Sequence, residues 1–305
     1  MKNIELDAAN FGNNYLKGGL FVDLNFALPY NGSELSIERL TAKELGSFFH
    51  EYIHFYQNVA TTFGAMEGMI ILQRVWKTLD EVKTMKEISI PYQLTQSPNA
   101  EMEHQIQQKL GEKIKDSDYD IHIDNTDIKY EINGSDSVVV KFKDTNSGTY
   151  KTRKVGTWDL KEGMAAKCQS LIDSNNQQSD IPYNILWILC KKIFPCVTPE
   201  KFITICYCSL FYRDPIVAFF QMCNQYNNKI YNAKSIFDSE RNKFYPCYFK
   251  IRNEYLDYIK EFLGCEIPYI KGILERMGTL PLIDLIDGGL TVQNIKIFFR
   301  NTELR

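Results

Sequence analysis

The sequence predicts an α+β fold in which a small β component is surrounded by mostly helical packing. Three observations carry that expectation. A period-two run stands near the N-terminus, hairpin signals cluster between residues 118 and 156, and helical periodicity fills most of the remaining chain.

The elements follow in order. In LFVDLNFAL, residues 20–28, Val22, Leu24, Phe26 and Leu28 face one way and Asp23 and Asn25 the other, so the segment reads as a strand closed by Pro29-Tyr30-Asn31-Gly32. Thr41 offers an N-cap, and Glu44 three residues later completes a capping box, starting a helix that should run to about Ala60. A second helix is expected over roughly 64–86, with Met66, Met69, Ile70, Leu72, Val75, Trp76 and Leu79 as its apolar stripe. A polar surface helix follows at about 100–115. Asn133-Gly134 and Asn146-Ser147-Gly148 then join alternating segments into β-hairpins over 118–156. Helices return from Trp158 onward, punctuated by Pro182, Pro195, Pro215, Pro246, Pro268 and Pro281. The chain divides into a lobe over 1–175 and a helical lobe over 176–305, unless the two form one continuous domain.

Composition narrows the function classes. The chain is 44% apolar and 24% charged, with a net charge of -3, so it should fold as a globular protein and has no basic excess for a phosphate backbone. Nucleic acid is not an expected partner. The N-terminal residues MKNIELDAANFGNNYLKGG lack an apolar signal core, and the apolar runs at 203–211 and 216–220 are too short to span a bilayer. The expected location is the cytoplasm, without a membrane partner. All eight cysteines fall in the C-terminal half, mostly in apolar runs and with no Cys-x-x-Cys pair, which favours buried reduced thiols.

The segment SFFHEYIHFYQN, residues 47–58, holds the chemistry. His50 and His54 are four apart on the first helix, so both imidazoles can face one ion, and Glu51 is rotated about 100° from His50, within reach of a bound water. Two neutral imidazoles suit Zn2+, which acidifies the water while a carboxylate takes its proton. Leu45, Phe48, Phe49, Tyr52, Ile53, Phe55, Tyr56 and Val59 surround the polar stripe, so the helix should be internal. The plainer alternative is a pair of hydrogen-bonded core histidines.

A zinc site needs a third protein ligand. The metzincin continuation is excluded, because Gln57 and Ala60 stand where it requires Gly and His. His104 and His122 should be solvent-exposed. Two Glu-Gly-Met segments remain. Glu67 would need a turn near Thr61–Gly64 to face the histidines, whereas Glu162 opens a helix whose small neighbours Gly163, Ala165 and Ala166 would let it pack against the histidine helix. Glu162 is favoured over Glu67. For a group that stabilises developing negative charge, Tyr183 and the Tyr212-Arg213-Asp214 cluster are candidates, though structural roles are the stronger expectation for each.

Taken together, HEYIHFYQ and the later KEGMAA resemble the gluzincin metallopeptidases, in which a downstream Glu on a second helix completes the ligand set. The resemblance covers only these two segments, and the 108 residues from His54 to Glu162 are more than compact gluzincins have. It implies a zincin-like core with the hairpins of 118–156 as an insertion, one Zn2+ held by His50, His54 and Glu162, and Glu51 as general base and later proton donor. It also implies a peptide or protein substrate, with which the strand at 22–28 could pair. The expected activity is that of a zinc metalloprotease of narrow substrate range, held in check by a regulatory protein partner. Rival expectations are a zincin-fold binding or adaptor protein without turnover, a zinc hydrolase acting on another amide or ester, and a metal-free structural protein.

Overall fold

The computed structural model describes residues 37–87, 97–133, 137–263 and 281–301. The expected strand at 20–28 and its turn, Gly134, Cys265 and Pro268 lie outside the described residues. Ten α-helices and one three-stranded sheet are found among them: α1 (Ala42–Ala60), α2 (Thr62–Thr84), α3 (Ala100–Lys109), β1 (Ile123–Asn133), β2 (Ser137–Asp144), β3 (Tyr150–Val155), α4 (Thr157–Ile172), α5 (Ile185–Ile193), α6 (Pro199–Ser209), α7 (Pro215–Gln225), α8 (Ala233–Leu263), α9 (Pro281–Asp287) and α10 (Val292–Asn301). The protein is thus mixed helix and sheet, and mostly helical.

The start and end of α1 have local causes. The Thr41 backbone N–H donates to Glu44 Oε2 at 2.9 Å, and Glu44 N–H returns a bond to Thr41 Oγ1, so two orphan donors of the first turn are satisfied. At the other end Thr61 is extended (φ -121°, ψ 157°). Its hydroxyl donates to the Gln57 carbonyl at 2.6 Å and accepts from Gly64 N–H at 3.1 Å, so one residue closes α1 and caps α2. The first turn of α2 sits so tightly on the last turn of α1 that a Cβ at Gly64 would lie 2.3 Å from the Gln57 carbonyl oxygen. Only glycine fits there.

Helix α3 ends at Lys109, six residues before the expected boundary. Gly111 adopts φ 91° and packs against Gly156, where a Cβ on Gly111 would fall 2.6 Å from the Gly156 nitrogen. The reversal lets Leu110 accept from Trp158 N–H at 3.1 Å and Lys154 accept from Glu112 N–H at 2.8 Å, which joins the end of α3 to the β3–α4 connection.

The sheet is antiparallel in the order β1-β2-β3, with Val140 paired to Tyr130 on one side and Arg153 on the other. On β2, buried Val138, Val140 and Phe142 alternate with more exposed Val139, Lys141 and Lys143, the period-two pattern of a sheet covered on one face. Tyr130 stacks on Phe220 of α7 at 4.5 Å between ring centroids. One hydrophobic core runs from Leu40 to Ile295 and includes residues of α1, the sheet and α4–α10.

Three expectations change in the C-terminal half and along α2. Pro246 lies inside α8 rather than ending a helix, while Pro215 and Pro281 open α7 and α9, where a missing N–H is harmless. Cys168, Cys190, Cys206, Cys208 and Cys223 are buried free thiols, but Cys196 and Cys247 are exposed. On α2 the expected apolar stripe fades toward the C-terminus, where Leu79 is 47% exposed. No helix among the described residues is long and apolar enough to cross a membrane.

Candidate metal centre

His50 and His54 project from the middle of α1, whose Leu45, Phe49, Tyr52, Ile53 and Tyr56 are almost wholly buried. Both imidazoles are buried too, at 8% and 7% exposure. The opposing surface is α4, and its start is fixed by a polar joint. The Asp159 carboxylate accepts from Gly156 N–H at 2.9 Å and from Arg153 Nε at 3.0 Å. Arg153, at the end of β3, also reaches Asp118 at 3.3 Å and donates to the Glu112 carbonyl at 2.9 Å. Burial pushes the Asp159 carboxyl up to about 6 even though Arg153 opposes it. One turn beyond Asp159, α4 presents Glu162.

The result is a compact group. His50 Nε2 and His54 Nε2 are 3.1 Å apart, and Glu162 Oε2 lies 3.5 Å from the first and 3.3 Å from the second. Ligands about 2.0–2.1 Å from a tetrahedral ion stand about 3.3–3.4 Å from one another, so these three atoms fit one face of such a site. Among the described residues this is the one group of His, Cys, Asp and Glu whose ligand atoms converge in this way. It could hold a metal ion; its geometry and its nitrogen and oxygen donors do not single out one metal.

The electrostatics of the group without an ion follow from its burial. Desolvation works against a charged His54, but the Glu162 carboxylate outweighs it, with help from Glu51 and Gln57, and lifts the imidazole to about 9. Burial likewise opposes ionised Glu162, yet His54 and His50 hold its carboxyl well below the usual range. A cation entering here displaces a proton and takes over its role.

Gln57 and Lys161 belong to this site and were not singled out by the sequence. Gln57 is fully buried; its Oε1 lies 3.0 Å from His54 Nδ1 and its Nε2 donates to the Lys161 carbonyl at 3.0 Å. The available signal was its position three residues after His54, on the same helical face. The Lys161 ammonium pairs with Glu67 and donates to Asn58 Oδ1 at 3.0 Å. Glu67 therefore faces Lys161, not the imidazoles, although α1 and α2 do break at Thr61. Gly163 also differs from expectation: a Cβ there would meet the Tyr183 carbonyl at 3.5 Å and Phe202 at 3.7 Å, so it faces away from α1.

Tyr183 is beside the centre, its ring edge-on to His50 at 6.0 Å between centroids and 6.3 Å from Tyr119. Burial and the nearby Glu162 charge raise the Tyr183 hydroxyl, and the same two causes raise that of Tyr119. The half-buried Glu51 carboxylate acts on both His54 and Tyr183 through space. The Tyr212-Arg213-Asp214 candidates are committed elsewhere: Tyr212 donates to Glu240, and Asp214 pairs with Lys109 at 3.2 Å. His104 and His122 are exposed and outside the group.

Comparison with protein-family models, with curated proteins and with solved structures finds no match to this chain.

Proposed function

We propose that the protein is a zinc-dependent hydrolase of gluzincin type, with a zincin-like core and peptide bonds as its substrate class. The observation that carries this reading is the triangle of His50 Nε2, His54 Nε2 and Glu162 Oε2, with sides of 3.1, 3.5 and 3.3 Å. Peptide as substrate rests on the His-Glu-x-x-His…Glu resemblance.

In this reading His50, His54 and Glu162 are the three protein ligands of one Zn2+. When bound, the ion would supply a Lewis acid that polarises the scissile carbonyl and acidifies a water. The Glu51 carboxylate would take a proton from the attacking water and later give it to the leaving amine. Tyr183, kept protonated by burial and by the Glu162 charge, can donate its hydroxyl hydrogen to oxygen that gains negative charge. The aromatic and aliphatic side chains of α1 around the imidazoles exclude water from behind the site, which strengthens each of these interactions.

The test has two parts. Protein purified in reducing, chelator-free buffer should hold one zinc per chain, and a metal-free preparation sinks the proposal. Glu51→Gln should keep the zinc and lose about 10²- to 10⁴-fold in cleavage of a peptide library, the usual worth of a general base. Wild-type protein that holds zinc but cleaves no peptide, ester or other amide would instead mark a binding protein.

A further inference from the structure

Gln57 sits where the two ligand-bearing helices meet, and the direction of its hydrogen bonds can be worked out. A backbone carbonyl only accepts, so the carboxamide nitrogen must face the Lys161 carbonyl and the carboxamide oxygen must face His54. That oxygen also only accepts, so the proton in the contact belongs to His54 Nδ1. In the neutral ring, Nε2 then carries the lone pair, and Nε2 is the atom 3.3 Å from Glu162 Oε2. The protonation pattern of a side chain on α1 is thereby set by a main-chain group on α4, the carbonyl of the residue just before Glu162. That carbonyl has little freedom, because it belongs to the backbone of α4 (Thr157–Ile172).

His50 has no equivalent restraint. Its Nδ1 is buried and has no hydrogen-bond partner among the described residues. The two imidazoles are therefore unequal: His54 has both ring nitrogens engaged, whereas His50, among the described residues, has a partner at Nε2 alone.

We propose that Gln57 is a positioning residue that fixes His54 as the Nδ1–H tautomer and makes that choice depend on the docking of α4 against α1. Outer partners of ligating histidines act in this way, fixing the ring and raising its basicity. The consequence for metal affinity rests on the zinc reading above; the tautomer itself does not.

The experiment uses full-length protein with ¹⁵N-labelled histidine, as wild type, Gln57→Leu and Gln57→Glu, with tautomers read from two-bond nitrogen–proton correlations and Zn2+ affinity from chelator competition. Neutral His54 should carry its proton on Nδ1 in wild type. Gln57→Leu should shift it toward Nε2–H and weaken Zn2+ binding by about 10- to 100-fold. Gln57→Glu retains an acceptor for Nδ1–H but loses the donor to the Lys161 carbonyl, and should keep the tautomer. Wild-type His54 protonated on Nε2, or a Gln57→Leu protein with unchanged tautomer and affinity, overturns the proposal. If Gln57→Leu does not fold, the wild-type spectrum and the Gln57→Glu variant decide. Wild-type protein without zinc would defeat the hydrolase reading, while its His54 tautomer, read above about pH 9 where the metal-free ring is neutral, still decides this one.

Discussion

The chain contains the triplet Glu-Gly-Met twice, at 67–69 and at 162–164, and the two glutamates have opposite fates. Both are on helices that pack near α1. Glu67 is buried against the ammonium of Lys161, whereas Glu162, one residue after that lysine, meets two imidazoles. A carboxylate facing a fixed cation is already neutralised. One facing two imidazoles can still receive an ion. The difference arises from what the fold places opposite each group, since the triplet itself is the same. Lys161 thus has two effects: it occupies the competing carboxylate with its side chain and orients Gln57 with its carbonyl.

The contrast can be broken at three points. The largest effect is expected from Lys161→Met, which leaves Glu67 buried without its cation and should cost about 3–5 kcal/mol in urea unfolding. Adding Glu67→Leu should recover most of that loss, because two apolar groups carry no uncompensated charge. A single variant as stable as wild type would mean the pair does not hold α2 to α4. Next, Glu162→Gln should weaken zinc binding by more than the roughly 10–100-fold typical of an outer partner, while Glu67→Gln leaves it unchanged. The reverse pattern would exchange their roles.

The smallest effect is one of pH. The folded value of His54, about 9, lies above its ordinary value, so the His54–Glu162 pair stabilises the metal-free fold below about 6.5 and loses that contribution as pH rises through 9. Zinc competes with that proton for the His54 lone pair. Its affinity should therefore climb across that window, with proton release measurable by calorimetry in buffers of different ionisation enthalpy.

Legibility in the sequence follows the range of the interactions. Thr41 with Glu44 announced the start of α1 because a capping box is complete within four residues. The 133–134 and 146–148 turn signals located the strands for the same reason. The end of α3 was misjudged because Gly111 is turned by its contact with Gly156, forty-five residues away in the chain. In the candidate site, His50, Glu51 and His54 could be read from one helical turn. The Gln57–Lys161 and Lys161–Glu67 contacts span 104 and 94 residues, and no local pattern encodes them. Tyr183 was visible as a candidate, but so was Tyr212, and only the place of the Tyr183 ring beside His50 separates them.

The joint of β3 and α4 has a further consequence during synthesis. The histidine pair leaves the ribosome 108 residues before Glu162 does. At about 5–20 residues per second that interval lasts roughly 5 to 20 s. Through that time the nascent chain has two imidazoles and no Glu162 to join them. Helices α2 and α3 and then the three strands emerge before Glu162, and the Arg153–Asp159 contact that fixes the start of α4 can form only after them. The His50–His54–Glu162 group is therefore complete only once the sheet has been translated, so any ion it takes up must arrive after that point.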